Sequence, residues 1–229
     1  MEDLIVEEDM VITVSRQGYV KRLSLDTYRA QRRGGRGLRG MGTKDEDFVE
    51  QLFVASTHDY VLFFTNKGQV FRKKVFELPQ AGPTGRGKAA INLLPLREGE
   101  TICSCLNVPK EAENKYIFLC TERGVAKKTP MLDCAKIRVS GLRVITLDEG
   151  DSVISVQLTE GNQELFFATR DGMGLRVNES TLRPMGRQAR GVRGVRLREG
   201  DRVVSALALA ACINFKCLLF AIICSRSFL

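Results

Sequence analysis

One short stretch contains the residue types that proteins use to bind phosphate. Gln31-Arg-Arg-Gly-Gly-Arg-Gly37, which we call the heptad, holds three arginines and three glycines, and Arg29 and Arg39 flank it. A guanidinium is a planar cation whose N–H groups match phosphate oxygens, and glycine lets the backbone lie close to a surface. The heptad therefore predicts a loop that contacts nucleic acid, and a solvated basic surface loop is the alternative.

Composition agrees with a polyanionic partner. The chain has 229 residues, 44% of them hydrophobic, and its 35 lysines and arginines exceed its 27 acidic residues to give a net charge of +8. That length and hydrophobic content allow a sizeable core. Seven cysteines without paired spacing predict reduced thiols. With His58 as the single histidine, we expect no metal site.

A repeat runs through the chain. Four tetrapeptides of the form Ser/Thr-x-x-Gly end in glycines that are 50, 56 and 48 residues apart. Each follows a run of β-forming apolar residues, and a basic residue stands four positions after each glycine, which indicates strand, tight turn and strand. The four anchor glycines are Gly18, Gly68, Gly124 and Gly172, and the basic residues are Arg22, Arg72, Lys128 and Arg176.

The register continues beyond each hairpin. A second glycine comes nineteen residues after the first in three repeats and seventeen after it in the third, followed by an apolar residue, an acidic turn and a closing apolar strand. The second glycines are Gly37, Gly87, Gly141 and Gly191, and the apolar residues are Met41, Ile91, Ile145 and Val195. Four short strands per repeat are typical of a propeller blade, with Ile91–Leu96 as one of them. No segment has apolar residues at a sustained 3.6-residue period, so the sequence predicts little helix.

The sequence therefore predicts an all-β, propeller-like fold of about four four-stranded blades. Their approximate bounds are 4–56, 57–113, 114–161 and 162–211, within one repeat domain of residues 1–211. The heptad lies between the second and third strands of blade one, and Gln80–Gly87, Ala135–Gly141 and Met185–Gly191 are its equivalents. Equivalent loops of successive blades lie along one rim, so their cations predict a track for a curved duplex bound through its backbone.

We assign the residues of this track by their type. The main phosphate contacts are expected from Arg32, Arg33 and Arg36, with Gly34, Gly35 and Gly37 permitting close approach. The cations expected to extend the path are Arg86, Lys88, Arg187, Arg190 and Arg193. Arg29, Arg39 and the neutral Gln31 are expected to contact DNA beside the main contacts.

The order of these features resembles the C-terminal DNA-wrapping domain of the bacterial DNA gyrase A subunit. The heptad looks like that family's signature without any substitution, and it stands in the first repeat, as it does in the family. The paralogous topoisomerase IV subunit has similar blades but usually a degenerate or missing heptad. The resemblance covers about Leu4 to Leu209.

This resemblance implies a β-pinwheel whose blades exchange strands and whose outer basic rim wraps double-stranded DNA, so that gyrase introduces negative supercoils. It implies two protein partners, the rest of gyrase A and the gyrase B subunit, with a place in the bacterial cytoplasm at the nucleoid. We expect no cofactor in this chain, because ATP and magnesium would belong to other parts of the enzyme. The acidic first residues, unlike a targeting segment, agree with that location.

The C-terminal end departs from the family pattern. The family usually has six blades, whereas four are recognisable here and no glycine follows Gly200. Residues 212–229 form an atypical hydrophobic tail, which we expect to be a disrupted or truncated end. A divergent strand on blade four is one alternative. A membrane span over Ser205–Cys224 is another, which Asn214 and Lys216 make costly.

Two catalytic interpretations are disfavoured. The four tyrosines stand in or beside predicted strands, and none follows an arginine as the family's cleavage nucleophile does, so we expect that this chain alone does not cut DNA. Gly82–Ala89 approaches a phosphate-binding P-loop, but Ala89 replaces the Ser or Thr that would ligate magnesium. Two lysine pairs that follow hairpins, Lys73-Lys74 and Lys127-Lys128, are either edge-strand charges or further DNA contacts.

Three functions remain open from the sequence. The first is sequence-non-specific DNA binding and wrapping in support of gyrase. The second is a propeller-type module that binds proteins and has no DNA role. The third is the C-terminal domain of a topoisomerase IV subunit, against which the intact heptad argues.

Overall fold

The computed structural model describes residues 4–28, 41, 47–108, 114–134 and 136–209, and these contain strands and short 3-10 turns but no α-helix. The strands are β1 Asp9–Ser15, β2 Tyr19–Ser24, β3 Val49–Ser56, β4 Tyr60–Thr65, β5 Gln69–Lys74, β6 Lys88–Ala89, β7 Ile102–Val108, β8 Tyr116–Thr121, β9 Val125–Pro130, β10 Leu142–Arg143, β11 Val153–Thr159, β12 Glu164–Thr169, β13 Gly174–Asn178, β14 Val192–Arg193 and β15 Val203–Leu209. The 3-10 turns are Leu25–Thr27, Val75–Glu77, Ala90–Asn92, Met131–Cys134 and Glu179–Thr181.

Four sheets, one for each repeat, confirm the predicted all-β, propeller-type fold. Their strand orders are β3-β1-β2-β6, β10-β5-β4-β7, β11-β8-β9-β14 and β13-β12-β15. Each sheet is built on the predicted hairpin and includes the closing strand of the same repeat. In repeats two to four, the short strand that follows the loop joins the sheet of the preceding repeat, as β6 does on β2 and β14 does on β9. This is the strand exchange that the resemblance implies.

The hairpin turns follow from the Ser/Thr-x-x-Gly pattern. The anchor glycines adopt φ values of +72° to +82°, a region that other residues rarely occupy. The hydroxyl that opens the turn accepts a hydrogen bond from the amide four residues later, as Thr121 Oγ1 does from Val125 N at 3.1 Å. The same bond forms at Ser15, Thr65 and Thr169.

The acidic turns hold the hairpins of their own repeats. Asp151 Oδ1 accepts a hydrogen bond from Arg123 N at 3.1 Å, and Glu100 Oε1 accepts one from the Thr65 hydroxyl at 2.6 Å. Asp47 and Asp201 make the corresponding bonds in the first and fourth repeats. The recurring acidic residue is therefore a structural acceptor that satisfies turn donors.

The chain divides into two compact units. One unit comprises Met1–Thr65, Gln69–Ala112 and Ile137–Leu142, and the other comprises Asn66–Gly68, Glu113–Lys136 and Arg143–Leu229. In the first unit, Met10 and Ile12 pack with Phe63 and Phe71 between two sheets. In the second, the Phe118 and Phe167 rings meet edge to face at 6.0 Å.

The predicted strand over Ile91–Leu96 is wrong. The strand in that region is β6, and Ala90–Asn92 form a 3-10 turn. Ile91 is 66% exposed, whereas Ala90 and Leu94 are buried in the core. The tightly turned backbone points the smaller Ala90 inward, which an alternating pattern does not predict.

Candidate nucleic-acid interface

Two of the predicted Gly/Arg loops close back onto a single strand. The second-repeat loop, residues 80–88, begins at a bridge between Arg22 and Gln80 and ends where Lys88 pairs with Val20. Both ends therefore lie on β2, two residues apart. The fourth-repeat loop, residues 184–192, repeats this geometry on β9, from the bridge of Lys128 with Pro184 to the pairing of Val192 with Ala126.

A buried lysine lies inside each of these loops. Lys21 is fully buried, and its Nζ donates hydrogen bonds to the carbonyls of Gly82, Pro83 and Gly85 at 2.9, 3.0 and 2.9 Å. An ammonium has three N–H donors, so the loop and Lys21 satisfy each other. Burial lowers the pKa of this ammonium.

Lys127 has the same position in the fourth-repeat loop. It is fully buried, and its Nζ donates to the carbonyls of Arg187 and Ala189 at 2.7 and 3.1 Å and to that of Val144 at 2.6 Å. Burial lowers its pKa to about 8. The Thr146 hydroxyl also donates to the Gln188 carbonyl at 2.8 Å, so the backbone of this loop is fixed at three consecutive residues.

The last glycine of each loop is required by a close approach of two backbones. Gly87 has a φ of +83°, and a Cβ there would lie 2.3 Å from the Val20 carbonyl oxygen. Gly191 has a φ of +97°, and a Cβ there would lie 2.8 Å from the Ala126 carbonyl oxygen. These glycines, which occupy the register of Gly37, face a neighbouring strand of the protein.

The third-repeat loop is anchored differently. The residue three positions after the anchor glycine, where repeats one and three have lysine, is Phe71 in the second repeat. A Cβ on Gly141 would lie 2.6 Å from an atom of the Phe71 ring, so the loop packs on an aromatic face. Ile137 of this loop is buried and Val139 is 88% exposed.

The structure shows where the five predicted path residues outside the first repeat lie. Lys88, Arg187, Arg190 and Arg193 are exposed, and Arg86 is half-buried with its guanidinium 5.4 Å from the centre of the Tyr19 ring. Gln31–Gly37, Arg29 and Arg39 lie outside the described residues. The structure brings Arg187, Arg190 and Arg193 onto one loop and the strand that follows it.

Arg190 has a partner within the protein. Its Nη2 donates to Asp148 Oδ1 in an ion pair between two exposed side chains. Arg190 and Asp148 also line a cleft of about 310 Å³, together with Arg123, Asp151 and Arg193. Its three arginines outnumber its two carboxylates, so the cleft favours an anion.

Lys127 and Lys128 were expected to be solvated edge charges or DNA contacts, and both expectations are wrong. Lys127 is 0% and Lys128 4% exposed. Lys128 donates to the Glu179 carbonyl at 3.1 Å and pairs with the Glu179 carboxylate at 3.9 Å. The strand that joins from the next repeat makes β9 an interior strand, which local sequence does not reveal.

The sequence does not identify Lys21 and Asp148, and it does not predict that Lys127 is buried inside a Gly/Arg loop. A lysine within a strand is usually solvated, so neither Lys21 nor Lys127 is expected to be a buried anchor. One sequence signal could have found the two lysines, because each lies three residues after the anchor glycine of its repeat. They belong to repeats one and three, and the Gly/Arg loops that they hold belong to repeats two and four.

The remaining chemistry of the described residues is limited. No group of three or more histidine, cysteine or acidic side chains there could hold a metal ion. Lys88 lies on strand β6, so Gly82–Ala89 does not lead into the helix that a P-loop requires. Within the described ranges, no helix has the length and apolar character needed to cross a membrane, and residues 212–229 are not among them.

Comparison with known proteins identifies the repeat. The family described as "DNA gyrase C-terminal domain, beta-propeller" matches residues 9–56, 59–109, 115–160 and 163–210. The DNA gyrase A subunit of Staphylococcus epidermidis is 47% identical over 204 residues, which cover 89% of this chain and 23% of that protein. The chain thus spans about a quarter of the length of that relative.

Solved structures show the same fold. The C-terminal domain of a DNA topoisomerase IV aligns with a TM-score of 0.77 at 33% identity, covering 91% of this chain and 63% of that one. A DNA gyrase A C-terminal domain aligns with a TM-score of 0.67 at 26% identity, covering 88% and 65%. On the evidence of its four matched repeats, this chain belongs to the DNA gyrase C-terminal domain family.

Proposed function

We propose that the chain binds double-stranded DNA without sequence preference and wraps it along the cations of its Gly/Arg loops. The observation that carries the proposal is the fourth-repeat loop, where the backbone is fixed at Arg187, Gln188 and Ala189 while the side chains of Arg187 and Arg190 are exposed. A loop backbone that is already fixed before binding loses little conformational entropy when its arginines contact phosphate. Family membership supports this function.

Within a whole gyrase, this domain would supply wrapping that lets strand passage introduce negative supercoils at the bacterial nucleoid. Strand cleavage, ATP hydrolysis and magnesium binding would belong to the rest of gyrase A and to the gyrase B subunit, the proposed protein partners. The chain needs no cofactor for this role.

The direct test is the salt dependence of duplex binding. Affinity for a labelled duplex should fall with a log–log slope of about −0.9 for each phosphate contacted. The three heptad arginines alone would contribute about −3. Two duplexes of equal length and unrelated sequence should bind equally. A flat salt dependence would contradict DNA binding and favour a protein-binding module.

A topoisomerase IV subunit is the second candidate, because a topoisomerase IV domain aligns with the TM-score of 0.77. The heptad distinguishes the two functions. Replacing Arg32, Arg33 and Arg36 with glutamine should abolish wrapping if the heptad is the main clamp. Unchanged wrapping would favour the topoisomerase IV assignment.

A further inference from the structure

Lys21 and Lys127 make an unusual use of a buried charge. Each ammonium bonds main-chain carbonyls, and five of the six bonds reach a Gly/Arg loop of the following repeat. We propose that both are positioning residues for DNA, each fixing the loop from which arginines meet phosphate. This inference rests on the DNA binding proposed above.

The loops need such a donor because their carbonyls converge. A loop that begins and ends two residues apart on one strand directs several carbonyls toward the buried Lys21 side chain. Unpaired buried carbonyls are costly. The Lys21 ammonium satisfies three of these carbonyls. The loop backbone can therefore turn tightly around the lysine while its outer side chains face solvent.

The bonded carbonyls are next to the arginines. Lys21 holds the Gly85 carbonyl, one residue before Arg86. Lys127 holds the carbonyl of Arg187 itself and that of Ala189, one residue before Arg190. The main-chain atoms from which these side chains extend are therefore fixed by the lysines.

The second repeat provides an internal comparison. It has Phe71 in the lysine position, and the loop that packs on it has a single described glycine, Gly141, and places the exposed Lys136 and Arg138 beside the apolar Ile137 and Val139. The two lysines both occur under loops that combine several glycines or small residues with arginine. Lysine thus accompanies the two described loops to which the path residues Arg86, Arg187 and Arg190 belong.

The test uses the full 229-residue chain and replaces Lys127 with methionine, which retains the apolar stem. K128M is the matched control, because Lys128 is buried on the same strand but bonds Glu179. The R187Q/R190Q variant serves as the reference for a loop without phosphate contacts. Its plot of log affinity against log salt should have a slope shallower by about 2. We would measure melting curves for folding, duplex binding over a salt series for phosphate contacts, and amide hydrogen exchange of residues 186–191 for the rigidity of the loop.

We expect K127M to fold, to exchange these loop amides faster and to lose about the same slope as R187Q/R190Q. Adding R187Q/R190Q to K127M should then change the slope little, whereas K128M should keep the wild-type slope. A folded K127M with wild-type slope would overturn the proposal. Weak or flat binding by the wild-type chain would overturn the DNA function, while loop exchange in K127M would still report whether Lys127 fixes the loop.

If K127M fails to fold, K21M gives the same test for the second-repeat loop, with R86Q as its reference. Lys21 lies in the other compact unit. Failure of both variants to fold would also overturn the proposal, because the lysines would then be requirements of the core.

Discussion

The guanidinium of Arg190 is hydrogen-bonded to the carboxylate of Asp148. An arginine proposed to contact DNA is therefore already paired inside the protein. Both side chains are exposed, at 70% and 47%, and exposed ion pairs stabilise a fold by less than about 1 kcal/mol. A phosphate could thus compete with Asp148 for Arg190, and Asp148 would lower the DNA affinity of this proposed contact.

Replacing Asp148 with asparagine should strengthen DNA binding. The change frees Arg190 and removes a negative charge beside the path, so we expect duplex affinity to rise roughly two- to fivefold at low salt. Fluorescence anisotropy with a labelled duplex measures it. E149Q removes the neighbouring charge without touching Arg190, and an equal gain in both variants would contradict the role of the pair.

Replacing Gly87 with alanine should destabilise the fold through backbone contact. Gly99 is the matched control, since its φ of +70° is similar but nothing lies within 4 Å of a Cβ there. G99A should cost about 1 kcal/mol in the free energy of unfolding, from φ alone. G87A should cost at least about 1 kcal/mol more, because the Cβ meets the Val20 carbonyl. Urea denaturation measures both, and equal costs would refute the close approach.

Replacing Tyr19 with leucine should weaken DNA binding by releasing Arg86. The guanidinium lies over the Tyr19 ring at 5.4 Å, and its Nε is buried without a hydrogen-bond partner among the described residues. Unlike the Asp148 carboxylate, the ring does not compete with phosphate, and it orders a flexible side chain before binding. Ordering such a side chain costs about 0.5–1.5 kcal/mol, so affinity should fall roughly two- to tenfold when the ring is removed. Y19F keeps the ring and should bind as the wild type does. Equal losses in Y19L and Y19F would show that the ring does not orient Arg86.

The stability of the chain should depend on pH through Lys127. Burial lowers the pKa of its ammonium to about 8, although Asp133 and Cys134 act in the opposite direction. Above pH 8 the unfolded chain, with an ordinary lysine pKa of about 10.4, holds a proton that the native chain has lost. The native state should therefore gain stability from pH 8 to about 10, by on the order of 1 kcal/mol per pH unit.

The buried thiols oppose this trend, so a difference measurement is needed. Burial raises the pKa of Cys134 to about 11 and that of Cys103 to about 12, which makes unfolding easier as pH rises above the ordinary thiol pKa. Subtracting the unfolding free energy of K127M from that of the wild type cancels most of this contribution. A difference that stays constant from pH 7 to 10 would contradict a depressed pKa at Lys127.

The hairpins and loop positions could be predicted from the sequence, because both depend on glycine. Gly18 and its equivalents require positive φ, and Gly87 and Gly191 require an absent Cβ, so their spacing carries the register directly. The exposed arginines could be found for the same reason, as neighbours of these glycines.

The anchors of the loops could not be predicted in this way. Whether Lys127 is solvated or buried depends on β14 pairing beside β9, a contact between segments more than sixty residues apart. The partner of Arg190 is likewise set by the fold, because Asp148 belongs to a different repeat. The wrong assignment of Ile91 has a similar cause, since the 3-10 turn follows from the docking of β6 on β2.

The most direct test of DNA wrapping is a change in plasmid linking number. A nicked plasmid is sealed by DNA ligase in the presence of the full chain, the protein is removed, and topoisomers are separated by electrophoresis. We predict a shift of the topoisomer distribution with one handedness, growing with protein concentration and lost in a variant with Arg32, Arg33 and Arg36 replaced by glutamine. A distribution identical to that of the protein-free reaction, at concentrations that saturate the plasmid, would contradict wrapping.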